Sequence, residues 1–136
     1  MQSFDCGPAA LATLLSAHVA RAVSLAELAD ALMLSQAESV RIHTTGYSLQ
    51  QLVEMADSVG VRARIAAVPQ GSLSKLLLPV LVYLQLPTGP HFSVLSGAAG
   101  DRVLLADPSQ GNLFWTREAF VRAWAPEGEG VLLSLQ

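Results

Sequence analysis

Cys6, His91 and Asp107 are the residues whose types could combine as a nucleophile, a base and a group that orients the base. A thiol attacks once a base has taken its proton, the base needs a fixed tautomer, and the oxyanion that forms needs hydrogen-bond donors. Cys6 is the only cysteine, and it stands just before Gly7-Pro8-Ala9-Ala10-Leu11, where an apolar helix is expected to begin. At a helix N-terminus the unpaired N–H groups and the positive end of the macrodipole favour a thiolate over a thiol. Cys6 would attack a carbonyl, His91 would take its proton and later protonate the leaving amine, and Asp107 would hold the imidazole in its useful tautomer. The Cys6 backbone N–H and the Gln2 side-chain amide are candidate oxyanion donors. Gly7 would leave space beside the sulfur for a substrate backbone.

Each of these residues also has a plainer reading. A lone cysteine is commonly a small buried hydrophobe. Asp107-Pro108 is a turn initiator, since Asp bonds its own backbone. His91 at a strand start suits a rim or core position, His18 a helix C-terminus that favours positive charge, and His43 a polar loop. No C-x-x-C or H-x-x-x-H spacing supports a zinc site, and neither a metal nor a cofactor is expected. Tyr47, Phe92, Trp115, Phe120 and Trp124 read as core or rim aromatics.

The elements that must position these groups follow from period and punctuation. Leu11, Leu14, Leu15 and His18 recur at helical spacing from Gly7 onward, and Pro8 fits a first turn. Ser24-Leu25-Ala26-Glu27 is a capping box ahead of a second helix near residues 24–33, and residues 35–47 read as a loop. Ser48-Leu49-Gln50-Gln51 repeats the signature before a helix carrying Leu49, Leu52, Val53 and Ala56 on one face and closed by Gly60. From Val61 the period becomes two, with Val61, Ala63, Ile65 and Ala67 on one side. A helical turn over 72–77 precedes strands at 80–85, 91–96, 102–106, 113–115 and 131–135, with Thr116 capping a helix through Trp124. Helices first and strands afterwards predict an α+β domain spanning 1–136, its helices packed on a mostly antiparallel sheet. If Gly97 and Asp101 flank a three-residue loop, Leu95 faces Val103, Ser93 faces Leu105 and His91 faces Asp107. Opposed Cβ atoms lie about 4.5–5.5 Å apart, which would bring the carboxylate to the imidazole.

Composition narrows the function classes. The chain has 136 residues, 51% of them hydrophobic, enough for a substantial core. Its formal charge is −3 and its eight Lys and Arg residues are scattered, which argues against nucleic acid as a partner. The apolar run at 76–86 is interrupted by Pro79 and falls short of the ~20 residues of a spanning helix. A single cysteine fits a reducing compartment. A soluble domain is expected, either cytoplasmic or held at a membrane by a partner or a further segment, with a periplasmic site also compatible.

Taken in order, these residues resemble the C39 peptidase family, papain-like cysteine peptidases known as bacteriocin-processing domains. The resemblance rests on Asp5-Cys6-Gly7 followed by Ala9-Ala10-Leu11, Gly46-Tyr47-Ser48-Leu49 through Leu52, Ala56 and Gly60, and Pro79 before a strand. It continues through His91-Phe92-Ser93-Val94-Leu95, Asp107-Pro108 with Gly111, and Phe120 with Trp124. It implies a papain-like fold and cleavage of leader peptides after a Gly-Gly pair, with Cys6 as nucleophile, His91 as base and Asp107 as orienting residue. A narrow slot near Cys6 would admit residues without side chains, and an apolar groove would hold an amphipathic leader helix. It also implies an ABC transporter or another secretion component as partner. The family's oxyanion glutamine stands six residues before the cysteine, whereas Gln2 stands four before Cys6. Two other functions fit the same residues: a C39-like module that binds a peptide without cleaving it, and an amidase or acyltransferase.

Overall fold

In the computed structural model, which describes residues 6–19, 48–108 and 110–136, the Ala/Leu-rich N-terminal stretch forms helix α1 (Cys6–Val19). Ala10, Leu11, Leu14 and Leu15 are buried along one stripe. Helix α2 (Leu49–Ser58) starts at the expected capping box: the Gln51 N–H donates to Ser48 Oγ at 3.2 Å, and the Ser48 N–H donates to Gln51 Oε1 at 2.9 Å. Gly60 ends it at φ +82°, a conformation that a side chain would oppose. The second helix and the loop expected at 24–33 and 35–47 lie outside the described residues.

Six strands form one sheet: β1 (Ala63–Pro69), β2 (Val80–Leu86), β3 (Gly89–Ala99), β4 (Arg102–Asp107), β5 (Gly111–Thr116) and β6 (Glu129–Leu135). Their order is β1-β6-β2-β3-β4-β5, and neighbouring strands pair antiparallel throughout. A 3₁₀ turn (Gln70–Lys75) precedes β2, and helix α3 (Arg117–Trp124) lies between β5 and β6. Thr116 caps α3 as expected, its Oγ1 accepting the Ala119 N–H at 3.1 Å.

Strand alternation divides the interior into two cores. On one face α1 and α2 pack on Leu81, Phe92, Val94 and Leu133. On the other, Phe120 and Trp124 of α3 pack on Val82, Leu84, Leu95, Leu105 and Leu132. The aromatic rings of Phe120 and Trp124 stack at 5.4 Å, and Trp124 Nε1–H donates to the Val131 carbonyl at 3.0 Å. Helices on an antiparallel sheet are the α+β architecture expected. The alternation expected for β1 holds less well. Among the described residues this edge strand pairs with β6 alone, Ile65 is exposed, and it is Ala66 and Val68 that pack toward the α3-side core.

Candidate functional site

The β3–β4 hairpin decides how His91 meets Asp107. Ala99 pairs with Arg102, so the turn holds Gly100 and Asp101, two residues where three were expected. Gly100 takes φ +60°, which permits so tight a connection. Between the pairs Gly97↔Leu104 and Leu95↔Leu105 the register shifts, leaving Ser96 as a bulge, and Val94↔Ala106 follows. Leu95 was expected opposite Val103 and stands opposite Leu105, a displacement of two residues. Below the bulge the displacement is even, which keeps Leu95, Ser93, His91 and Asp107 on their expected faces. The next step of this register sets Ser93 across from Asp107, with His91 one diagonal away. Diagonal neighbours lie within reach of long side chains.

His91 Nε2 and Asp107 Oδ1 are accordingly 2.6 Å apart. The same oxygen accepts the Ser93 hydroxyl at 3.0 Å, and Oδ2 accepts the Gln110 N–H at 3.2 Å. The carboxylate therefore serves both readings of Asp107-Pro108, closing the turn with one oxygen and holding the imidazole with the other. Asp107 is 7% exposed and Ser93 is fully buried. Ser93 had no role in the expected site. Its signal was a hydroxyl two residues beyond His91 on the same strand face, in an otherwise apolar run.

Cys6 opens α1, so its backbone lies in the first helical turn, as expected. That turn sits close to β3. A Cβ placed on Gly7 would come within 3.2 Å of Phe92 Cδ2 and 3.4 Å of Leu52 Cδ2, and Phe92 is the neighbour of His91 in the chain. Gly7 is thus buried against core side chains, and the need for glycine comes from helix docking where room for a substrate was expected. Gln2 and His43 lie outside the described residues. His18 is in the last turn of α1, where positive charge is favourable. Phe92, Phe120 and Trp124 are core residues, Phe92 with its ring 5.4 Å from that of Tyr83.

The sequence matches the model of the Peptidase C39 family over residues 1–135. The chain belongs to the C39 peptidase family. Among its relatives is a protein of Pseudomonas aeruginosa named "Probable functional amyloid protease FapD", 29% identical over 121 residues, which are 89% of this chain and 53% of that one. A protein of the same name from Pseudomonas fluorescens is 31% identical with the same coverage. The chain thus spans about half the length of these curated relatives. Among solved structures, the peptidase domain of Streptococcus ComA, a bifunctional ABC transporter of a quorum-sensing pathway, superposes with a TM-score of 0.77 at 22% identity. The match covers 99% of this chain and 93% of that domain. A double-glycine-motif protease from an AMS/PCAT transporter, solved with its leader peptide, gives 0.74 at 24% identity over 99% of this chain and 86% of that one. These likenesses bear out the papain-like C39 fold. Among the described residues no helix is long and apolar enough to cross a membrane.

Proposed function

We propose that this chain is a cysteine endopeptidase that cleaves a leader or substrate peptide after a Gly-Gly or similarly small pair. The observation that carries the reading is the 2.6 Å contact of His91 Nε2 with Asp107 Oδ1. A carboxylate accepting from Nε2–H leaves the basic lone pair of the neutral ring on Nδ1, the nitrogen that then takes the thiol proton. The packing of Gly7 on Phe92 docks the first turn of α1 on β3, the strand that also carries His91. Family membership, relatives named as proteases and a structural neighbour holding a leader peptide point the same way.

In this mechanism the Cys6 thiolate attacks the scissile carbonyl carbon, and the carbonyl oxygen takes up the negative charge. The Cys6 backbone N–H donates to that oxyanion, and Gln2 supplies the second donor through its side-chain amide. On collapse the C–N bond breaks, His91 passes its proton to the leaving amine, and a thioester remains on Cys6. Water, deprotonated by His91, then hydrolyses the thioester and restores the thiol. Asp107 stabilises the imidazolium at each stage. The partner is a peptide with a double-glycine-type site, delivered by an ABC transporter or another secretion component.

The test is the rate of Cys6 alkylation by iodoacetamide against pH, in the native chain and in His91→Ala, beside incubation with Gly-Gly and control peptides. An activated pair gives a thiol that titrates well below the free value of about 8.5, loses that property without His91, and accompanies cleavage after Gly-Gly. An ordinary thiol indifferent to His91, with the peptide bound but intact, replaces this reading with a non-cleaving binding module. Transferred acyl products in place of hydrolysed ones replace it with an acyltransferase.

A further inference from the structure

We infer that Ser93 is a positioning residue of the site, holding the Asp107 carboxylate aimed at His91 throughout the reaction; this rests on the Cys6, His91 and Asp107 mechanism proposed above. Ser93 is fully buried, and its hydroxyl donates to Asp107 Oδ1 at 3.0 Å, the oxygen that also faces His91 Nε2 at 2.6 Å. A hydroxyl in a closed apolar interior is costly unless it is bonded, and here its acceptor is the site's own carboxylate.

The need for a second donor on Oδ1 follows from the proton cycle. His91 alternates between imidazolium and neutral imidazole, so its help to a buried carboxylate rises and falls with each proton transfer. Ser93 and the Gln110 N–H are neutral donors whose bonds persist in both stages. They hold opposite oxygens, Ser93 on Oδ1 and Gln110 on Oδ2, and so fix the rotation of the carboxylate about its Cβ–Cγ bond. With Ser93 removed, Oδ1 loses a donor that does not change with the proton cycle, while the imidazole it is meant to orient does. The sheet register puts Ser93 in this place, directly across from Asp107 and two residues beyond His91 on the same face.

The experiment compares the native chain with Ser93→Ala and Ser93→Thr by two readouts. In Cys6→Ala backgrounds, ¹⁵N NMR of His91 at a pH where the ring is neutral reads the tautomer without any need for activity. In the active chains, kcat and KM for a Gly-Gly peptide are measured, with urea midpoints as a check on folding. The expected result is a His91 ring almost wholly Nε2–H in the native background, and a mixture with the Nδ1–H form in Ser93→Ala. A kcat about tenfold lower should accompany it, with KM within twofold, and Ser93→Thr should restore both readouts because it keeps the hydroxyl. An unchanged tautomer in Ser93→Ala overturns the inference, as does an unchanged kcat in a chain that cleaves. If the native chain cleaves nothing, the proposed peptidase function fails, and the tautomer still decides whether Ser93 positions the Asp107–His91 pair.

Discussion

Asp107 faces Ser93 across the β3–β4 pair, and His91 reaches the same carboxylate oxygen along the diagonal. One oxygen therefore gathers a strand partner and the imidazole while the other closes the following turn onto Gln110. The division of labour makes Asp107 sensitive to which of its oxygens is replaced.

Asp107→Ala removes the acceptor for His91, Ser93 and Gln110 together. Cleavage should fall by about 10²–10⁴, the usual worth of acid–base assistance. Asp107→Asn should lose less, because the Ser93 hydroxyl and the imidazole N–H both donate on the Oδ1 side and orient the amide oxygen toward His91. Its NH₂ then opposes the Gln110 N–H, so the turn loosens while the imidazole stays held. Single-turnover cleavage by the two variants checks the order, and equal losses would contradict this account of the carboxylate.

Gly7→Ala sets two effects of similar size against each other. Alanine improves helix propensity by at most about 1 kcal/mol, and by less in a first turn. The added Cβ must push back the Phe92 ring from 3.2 Å, and Phe92 is itself packed on Tyr83. Overpacking of this kind costs about 1–3 kcal/mol. A net loss of about 1 kcal/mol in urea unfolding is expected, with a larger relative loss of cleavage as the turn carrying Cys6 moves from β3. A variant as stable and as active as the native chain would show that α1 docks more loosely than this.

Deleting Ser96 should be tolerated. Gly97↔Leu104 and Leu95↔Leu105 lie on either side of the bulge, so removing the extra residue joins them into continuous pairing without changing any partner. His91, Ser93 and Asp107 keep their faces, and cleavage should stay within about threefold while stability falls by about 1 kcal/mol with the lost bend and the Ser96 hydroxyl bond to the Leu104 carbonyl. A hundredfold loss of cleavage would mean that the local twist, beyond the register, aims the imidazole.

Gly130→Ala tests the far core. A Cβ there would overlap three atoms of the Trp124 indole, whose ring is stacked on Phe120 and tied by Nε1 to the Val131 carbonyl. The ring has no free direction in which to yield. A loss of about 3 kcal/mol or more in urea unfolding is expected, at the upper end for overpacking. A stability change below about 1 kcal/mol would show that the indole can be rehoused.

The helix starts were legible because their signals are local: Ser48 with Gln51, Thr116 with Ala119, and Gly60 at the end of α2. The meeting of His91 with Asp107 was legible because strand parity survives an even displacement, although the turn is one residue shorter than expected and the strand bulges at Ser96. Ser93 escaped because its role depends on which residue stands opposite it, and two separate one-strand events set that. Gly7 was assigned to the substrate because its contacts with Phe92 and Leu52 are distant in sequence. Gly130 left no local sign for the same reason, since its constraint is a ring on another element.

The position of β6 in the sheet has a consequence for how the domain comes into being. β6 lies between β1 and β2 and is the strand with which β1 pairs. During synthesis, the residues of β6 that pair with β1, and Leu133 of the α1-side core, become available only as residues 129–135 leave the ribosome. The hairpin carrying His91 and Asp107 can form earlier, but the core on which α1 must settle cannot be completed. On the proposed mechanism, this late completion of the core beneath α1 would keep the Cys6 thiol apart from His91 while unfolded segments of the same chain are still within reach.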